Sequence, residues 1–386
     1  MQLSETVKLY LTRDQRSLVI QTMDEYIRTV NSLVSDALNG VLLSKYTSAD
    51  VTAELPSAVR NQCIRDARSI VRKYSKELRK SENLKKKLVS QGKPVSVKEP
   101  AVPVLKRPCC YINNQNFKVR KGNIEFPVMI SGKSKRLSIR TKMTEKQREL
   151  FEHARFGTMR IVFKGDRIVA QIVYEVKEPE PAEEGNIMGI DLGIKCPAVS
   201  YTSDGGVRFY GNGRKNKYMR RYFAKKRKDL QKARQMKAVR RINDKEQRIM
   251  KDIDHKISRQ IVDTAVSHDV KVIKMERLEN VRSATRTSRK NNRSLHSWSF
   301  YRLSQFVEYK ARLAGIKVEY VNPAYTSQKC PVCGRIHHAQ DRNYVCECGF
   351  RTHRDLLGAM NICSSTEYIG GRNARYTAQG AIGSAL

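Results

Sequence analysis

The chain has 386 residues, enough for two or three domains, and its 75 Lys and Arg residues exceed its 38 Asp and Glu residues by 37. A polyanion must neutralise this excess, and nucleic acid is the usual one because phosphate contacts release counterions. A duplex of about 20 base pairs would supply about 40 phosphates. Because the sequence has neither a run of 18 apolar residues nor a signal-peptide pattern, it favours a soluble cytoplasmic protein over a membrane protein.

The first part of the chain predicts one strand followed by two helices. Apolar residues alternate at 5–11, and Thr12 and Gln15 have the spacing of a capping box. The helix after this box has an apolar stripe that starts at Val19, and a second helix is predicted from about 57 to 82. These two helices form a module that is inserted after the first strand.

A loop or linker rich in Lys, Pro and Val is predicted at 85–108, and short strands follow it. The predicted strands are 124–130, 137–140, 159–163 and 168–175. Together with the first strand they predict an antiparallel β-barrel that the helical module interrupts. The acidic, Pro-rich segment 178–185 is the predicted domain boundary.

The second half of the chain predicts an RNase H-like α/β domain, because a strand hairpin is followed by helix, strand, helix and strand. The predicted strands are 187–194, 197–202, 207–210, 270–275 and 316–321, and the helical regions are about 215–267 and 299–314. A basic polar loop at 282–293 is interpreted as a mobile lid. The polar, Gly-rich tail at 367–386 is predicted to be poorly ordered.

Three acidic residues have settings that suit metal-dependent phosphodiester hydrolysis. Asp191 lies in an apolar strand, Glu276 ends a β-branched strand, and Asp355 lies near a helix start. Gly189 and Gly193 flank the first acid and are expected to leave room for a phosphate or a metal. Each acid alone has an ordinary alternative, a solvated strand end or a helix cap. Their joint appearance favours a site for two hard cations such as Mg²⁺.

Four of the nine cysteines form a cluster: Cys330, Cys333, Cys346 and Cys348. Cys330 with Cys333 forms one corner of the cluster, and Cys346 with Cys348 forms the other. Two such corners can place four thiolates around one structural Zn²⁺. An odd total number of cysteines with one tight cluster argues against a disulfide framework. The second corner is Cys-x-Cys, one residue shorter than the standard Cys-x-x-Cys. The alternatives are a ribbon without metal and a histidine as one ligand, from His337, His338 or His353.

The segment 214–248 carries repeated clusters of positive charge that suit a phosphate backbone. The predicted nucleic-acid-binding residues in it are Arg220, Arg221, Lys225, Lys226 and Arg227. Tyr325 is a further candidate, because an aromatic ring can stack on a base. The alternatives are a solvated helix face for the basic residues, and packing at the root of the cysteine cluster for Tyr325.

In sequence and order these motifs resemble the TnpB family, transposon-encoded RNA-guided DNA nucleases regarded as ancestors of type V CRISPR effectors. The resemblance rests on Gly-Ile-Asp-Leu-Gly-Ile-Lys (189–195), Ile-Lys-Met-Glu-Arg-Leu (273–278) and Tyr-Thr-Ser-Gln-Lys-Cys-Pro-Val-Cys-Gly (325–334). It continues through Cys-Gly-Phe-Arg-Thr-His-Arg-Asp (348–355) and Gly-Ala-Met-Asn-Ile (358–362). The first half of the chain matches the family only in layout and length.

The resemblance implies a RuvC nuclease domain with an inserted zinc ribbon, preceded by a β-barrel wedge domain with a helical recognition insertion. The implied domains are the wedge at 1–11 and 98–180, the recognition module and basic linker at 12–97, the RuvC domain at 186–324 and 350–366, and the target-nucleic-acid-binding ribbon at 325–349. Asp191, Glu276 and Asp355 would be the catalytic triad that holds two Mg²⁺ ions. The four cysteines would hold one Zn²⁺.

The resemblance also implies a guide RNA from the transposon end, a double-stranded DNA target, a short flanking motif read by the protein, and one site that cuts both strands. It places the protein in a prokaryotic cytoplasm, acting at the nucleoid, and indicates no protein oligomer. Two alternatives share the chemistry: an RNA-independent RuvC-fold transposase or resolvase, and a compact CRISPR effector with array-derived guides. A regulator without cutting activity is disfavoured, because all three acids are present.

Overall fold

A computed structural model describes residues 1–120, 122–278, 292, 295–339 and 341–366 of the chain. The chain forms two compact units, Met1–Lys177 and Glu178–Leu386. The predicted lid at 282–293, apart from residue 292, and the predicted tail at 367–386 lie outside the described residues. Among the helices that the structure describes, none is long and apolar enough to cross a membrane.

The first unit contains a seven-stranded antiparallel sheet with the strand order β2-β6-β7-β1-β5-β4-β3. Its strands are β1 (Gln2–Tyr10), β2 (Cys109–Ile112), β3 (Lys118–Arg120), β4 (Asn123–Ile130), β5 (Lys133–Lys142), β6 (Arg155–Lys164) and β7 (Arg167–Glu175). The five strands of the predicted β-barrel form the middle of this sheet, and β2 and β3, which the sequence did not predict, lie at the two ends of the pairing order. The first strand lies at its centre, because β1 pairs with β5 on one side and with β7 on the other.

The helices of the first unit are α1 (Arg13–Leu38), α2 (Ser57–Ser90) and the unpredicted α3 (Glu145–His153). The predicted capping box is confirmed, because the Thr12 side chain accepts from the backbone of Gln15 and the Gln15 side chain accepts from the backbone of Thr12. The prediction of a loop from residue 85 is wrong for its first six residues. The helix continues through them because no glycine or proline interrupts it before Gly92.

The second unit contains a five-stranded mixed sheet with the order β10-β9-β8-β11-β12. Its strands are β8 (Asn186–Asp191), β9 (Ala198–Thr202), β10 (Val207–Tyr210), β11 (Val270–Glu276) and β12 (Lys317–Val321). The first three form the antiparallel meander, and β8, β11 and β12 are parallel. The predicted order of elements for an RNase H-like domain is therefore present.

Four helices of the second unit are α4 (Gly213–Lys232), α5 (Met236–Ser267), α6 (Phe300–Leu313) and α7 (Arg354–Ser364). The basic helical region predicted at about 215–267 is two helices rather than one. The break lies at Arg234, whose φ of 53° is in the left-handed region and cannot continue an α-helix. The apolar positions Ile257 and Ile261 of α5 are buried in the core of this unit, where Val307 of α6 also packs.

The cysteine-rich segment lies between β12 and α7. Its short strands β13 (Asn343–Val345) and β14 (Arg351–His353) form an antiparallel pair. A small core of its own contains Cys330, Tyr344 and Cys346. Leu357 of α7 belongs to the same core, so the segment packs directly on the helix that follows it.

Candidate active site

The ends of two neighbouring parallel strands bring Asp191 and Glu276 to the same edge of the sheet. In the pairing of β8 with β11, Ile190 lies opposite Met275, and the two acids are the next residues of these strands. Residues at matching positions of paired strands point to the same face. This edge, where parallel strands end, is where open α/β sheets commonly bind their ligands.

The helix α7 brings the third acid to the same face. It packs so closely on β8 that a Cβ added at Gly189 would lie 2.2 Å from the carbonyl oxygen of Ala359. A Cβ added at Gly358 would lie 3.2 Å from Cγ of Asp191. Asp355 is in the first turn of this helix and is only 8% exposed. The predicted acids therefore converge from two strands and one helix.

The glycines beside Asp191 do not leave the open space that the sequence predicted. The backbone of α7 fills the space at Gly189, and a Cβ at Gly193 would lie 2.6 Å from the carbonyl oxygen of Cys196. Both glycines allow close packing of backbone on backbone. The prediction that they make room for a phosphate or metal is wrong, because the chain itself occupies that room.

We expect Gly189→Ala to lower the free energy of unfolding by about 2 kcal/mol, because a backbone rather than a flexible side chain must move to admit the methyl group. Urea denaturation measures this change. Gly157→Ala is the matched control, since its Cβ would meet the side chain of Val173 at 3.1 Å and the nearest backbone atom, the carbonyl oxygen of Val173, only at the ordinary contact distance of 3.7 Å. Equal stability of Gly189→Ala and the unmodified protein would contradict the close approach of α7.

The electrostatics of the acids favour a bound cation. Burial raises the pKa of Asp191 well above its ordinary value, and the negative charges of Glu276 and Asp355 raise it further. Burial also raises the pKa of Glu276, against a hydrogen bond from Thr326 that lowers it. A divalent cation would remove the repulsion among these carboxylates and favour their ionised forms.

Two residues of the site were missed by the sequence analysis. The Thr326 hydroxyl donates a hydrogen bond to Glu276, and the Arg342 guanidinium donates to both carboxylate oxygens of Asp355. Thr326 lies in the motif at 325–334, so the sequence indicated this segment as functional without indicating the residue. No local sequence pattern indicated Arg342, because its contact with Asp355 depends on how the cysteine-rich segment folds.

The donor set fits Mg²⁺, since three carboxylates supply the hard oxygen ligands that this ion prefers. Among the described residues, only the four cysteines bring three or more ligand atoms within 4.8 Å of one another. The three carboxylates do not meet that limit in this structure, in which Arg342 supplies the positive charge at Asp355. Their chemistry and convergence support a cation site, with the guanidinium compensating one of the charges.

The four clustered cysteines bring their Sγ atoms within 4.8 Å of one another, close enough to hold one metal ion. Sγ of Cys330 lies 3.6 Å from Sγ of Cys348, and Sγ of Cys333 lies 3.5 Å from Sγ of Cys346. Four thiolates at about 2.3 Å from one Zn²⁺ would lie about 3.8 Å apart. The short Cys-x-Cys corner therefore reaches the cluster with both of its sulfur atoms.

The geometry favours thiolates over histidine as the fourth ligand. His353 instead caps α7 by accepting from the backbone N–H of Asp355 at 3.2 Å, and its ring packs on Phe209. Burial raises the pKa of Cys330, but backbone N–H groups of Cys333 and Val332 lower it to about 7 overall. Although the backbone N–H of Phe350 lowers the pKa of Cys348, burial and the neighbouring thiols raise it to about 12. A bound cation would favour the thiolate form of all four cysteines, which is the form that binds zinc.

The zinc ribbon is tied directly to the acidic site. Besides the contacts of Thr326 and Arg342, the side chain of Asn361 on α7 donates to the carbonyl oxygens of Thr326 and Lys329, both at 2.7 Å. Three side chains thus hold the ribbon against β11 and α7. The position of the ribbon consequently determines what surrounds Glu276 and Asp355.

The predicted nucleic-acid-binding residues of α4 fall into two groups. Glu246 of α5 pairs with Arg227 at 2.7 Å and lies 3.9 Å from Arg220. The other three are exposed: Arg221, Lys225 and Lys226. Tyr325 is 57% exposed, so packing at the root of the ribbon does not bury it. Exposed cations and an exposed ring are available to a ligand.

Comparison with known proteins places these features in one family. Residues 171–282 match the family described as "Probable transposase", and residues 300–362 match the "Cas12f1-like, TNB domain". The TnpB-like protein MJ0751 of Methanocaldococcus jannaschii is 30% identical over 257 residues, which cover 63% of this chain and 91% of that protein. A CRISPR-associated endodeoxyribonuclease Cas12f1 of Sulfoacidibacillus thermotolerans is 30% identical over 194 residues, covering 46% of this chain and 44% of its own length.

A solved structure supports the same assignment at the level of the fold. The Cas12f1 chain in a complex with single guide RNA and target DNA superposes with a TM-score of 0.63 at 15% identity, covering 91% of this chain and 82% of that one. The predicted fold, a RuvC nuclease domain with a zinc ribbon preceded by a β-rich unit with helices, is confirmed. The chain belongs to the TnpB family.

Proposed function

We propose that this protein is an RNA-guided endonuclease that cuts double-stranded DNA. The observation that carries the proposal is the convergence of Asp191, Glu276 and Asp355 at the end of two parallel strands, in a member of the TnpB family. A guide RNA from the transposon end would pair with the target strand, and the protein would read a short flanking motif. One site would cut both strands in turn.

In the proposed reaction Asp191, Glu276 and Asp355 would hold the two Mg²⁺ ions. When bound, the ions lower the pKa of water and neutralise negative charge that develops on the phosphate. Thr326 orients the carboxylate of Glu276 through its hydrogen bond. Arg342 lies beside Asp355, where a guanidinium can bind a phosphate oxygen once it is released from the carboxylate.

Separate domains would recognise the nucleic acids and cut the DNA. We assign the wedge to 1–11 and 98–180, the recognition module and basic linker to 12–97, and the RuvC domain to 186–324 and 350–366. The ribbon at 325–349 would contact target nucleic acid beside the acids. The net charge of +37 supports this assignment, because both guide and target are polyanions.

We expect Arg342→Ala to reduce DNA cleavage by about tenfold or more, because Asp355 and the reacting phosphate both lose a cationic partner. Arg335→Ala is the matched control in the same ribbon, since Arg335 pairs at 2.7 Å with Glu347 and both side chains are exposed. Single-turnover cleavage rates separate chemistry from binding. Equal rates for the two variants would show that Arg342 only stabilises the fold.

Sequencing the RNA that co-purifies with the protein tests whether an RNA guides it to its target. The protein is expressed together with its native flanking DNA and purified, and the RNA that accompanies it is sequenced. A discrete RNA from the end of the element, with a variable 3′ segment, is expected, and a plasmid matching that segment should be cut. Random cellular RNA, or none, would favour the RNA-independent transposase. An RNA transcribed from a repeat array would favour the compact CRISPR effector.

A further inference from the structure

A cavity lies beside the loop that follows Asp191 in the second unit. Its volume is about 540 Å³, within the range of about 300–1,000 Å³ that is typical of ligand pockets. The loop after β8, one face of α4 and the segment before α6 form its walls. We call it the α4 cavity and identify it by six of its lining residues: Ile194, Pro197, Lys217, Arg221, Ala224 and Trp298.

The ionised residues that line the α4 cavity favour an anionic ligand. Its two acids are paired within the protein, Glu246 with Arg227 at 2.7 Å and Asp254 with Arg302 at 2.6 Å. Lys217 and Arg221 line the cavity and are exposed, and neither forms an ion pair within the part of the chain that the structure describes. Two positive charges are therefore left for a ligand.

The apolar residues that line the α4 cavity favour a flat apolar group in the ligand. Trp298 packs partly on the core of the second unit and also lines the cavity. Ile194, which is 40% exposed, and Pro197 add apolar surface on the side of the β8 loop. An aromatic ring and aliphatic side chains beside cations are the combination that binds a nucleobase with its phosphate.

We propose that the α4 cavity holds one nucleotide of single-stranded DNA, with its base against Trp298 and its phosphate near Lys217 and Arg221. The proposal rests on the proposed nuclease function, since it takes the ligand to be part of the cut strand. Ile194 follows Asp191 by three residues, which span at most about 11 Å, so the cavity is near enough to receive a nucleotide that neighbours the phosphate at the acids. The captured nucleotide would hold that strand in register during cutting.

Trp298 is the only tryptophan of the chain, and its fluorescence therefore reports on this cavity. Full-length protein, freed of nucleic acid by high salt, is titrated with a short oligothymidylate without Mg²⁺. A saturable change of tryptophan fluorescence is expected, because a base stacks on the ring. No change, although the oligonucleotide binds by anisotropy, would overturn the proposal.

Ala224→Leu fills the α4 cavity without changing its charge and is expected to weaken this binding about tenfold, the effect of one lost stacking contact. The double variant Lys217→Ala/Arg221→Ala should weaken it at least as much. Lys251→Ala/Lys256→Ala removes the same charge from exposed positions of α5 that do not line the cavity, and should change the affinity less than about twofold. Circular dichroism confirms folding of each variant.

Equal affinity of the Ala224→Leu variant and the unmodified protein would overturn the proposal, because binding would then be a surface effect. Tighter binding of oligouridylate than of oligothymidylate would overturn the assignment to DNA. Thymidine monophosphate that binds as tightly as the oligonucleotide would show a site for free nucleotides instead. The titration requires no cleavage, so its failure leaves the nuclease function standing, whereas failure of that function appears in the cleavage assays of the acid variants.

Discussion

Asp191→Ala is expected to abolish DNA cleavage, with a loss of about 10³-fold or more, while RNA-dependent DNA binding is retained. The carboxylate would be one of the ligands that hold the metal ions, whose bound charge would contribute several kcal/mol to transition-state stabilisation. The substitution also removes one of three mutually repelling acids, so the fold should not be weakened. Single-turnover cleavage of a matched target, with DNA binding measured in parallel, tests both parts.

Asp252→Ala serves as the control for this variant. Asp252 is an acid on α5 whose side chain is 60% exposed and pairs with Lys256. It should leave cleavage unchanged, because an exposed pair of this kind contributes little. Loss of both cleavage and binding in a folded Asp191→Ala protein would show that the acid is structural. Retained cleavage would place the catalytic site elsewhere.

Removing the second corner of the zinc ribbon with Cys346→Ser/Cys348→Ser is expected to lower the zinc content from one per chain to near zero. Cleavage should then fall by about 100-fold, since the ribbon supplies the partners of Glu276 and Asp355. The sheet of the second unit has its own core and should stay folded. Zinc content, cleavage rate and circular dichroism measure the three parts separately.

Cys196→Ser is the matched control for the ribbon variant. This cysteine lies outside the cluster, and its thiol donates to the carbonyl oxygens of Ala198 and Tyr210, contacts that a serine hydroxyl can also make. Zinc content and cleavage should stay close to those of the unmodified protein. A ribbon variant that loses zinc and still cuts normally would show that the ribbon and the acids are independent.

Much of the second unit could be predicted from the sequence, because short strands of β-branched residues and amphipathic helices carry their periodicity locally. The strand that ends at Glu276 is an example, whereas the strand predicted at 187–194 already ends at Asp191. Local signals also failed where they were weak. The long α2 was cut short in the prediction because its last turns are charged, and α3 was missed although Thr144 and Gln147 form a capping box.

The glycines beside Asp191 show why a single residue type does not predict the space around a site. A glycine beside an acid is compatible with an open ligand site and also with a close packing contact. Only the position of α7 distinguishes the two, by placing Ala359 within 2.2 Å of a Cβ at Gly189. The same helix brings the Asp355 carboxylate near enough for its charge to raise the pKa of Asp191, and no spacing in the sequence encodes this approach.

The amino-acid sequence was enough to show which chemical groups this protein carries: three carboxylates in apolar or capped positions, four clustered thiols, a large positive charge and the order of motifs of the TnpB family. These properties are local, because they depend on residue type and short spacing. The folded structure was needed to show that Thr326 donates a hydrogen bond to Glu276 across 50 residues and that Arg342 donates to Asp355. Such contacts depend on strand register and on the packing of the ribbon against α7, which the whole chain sets together.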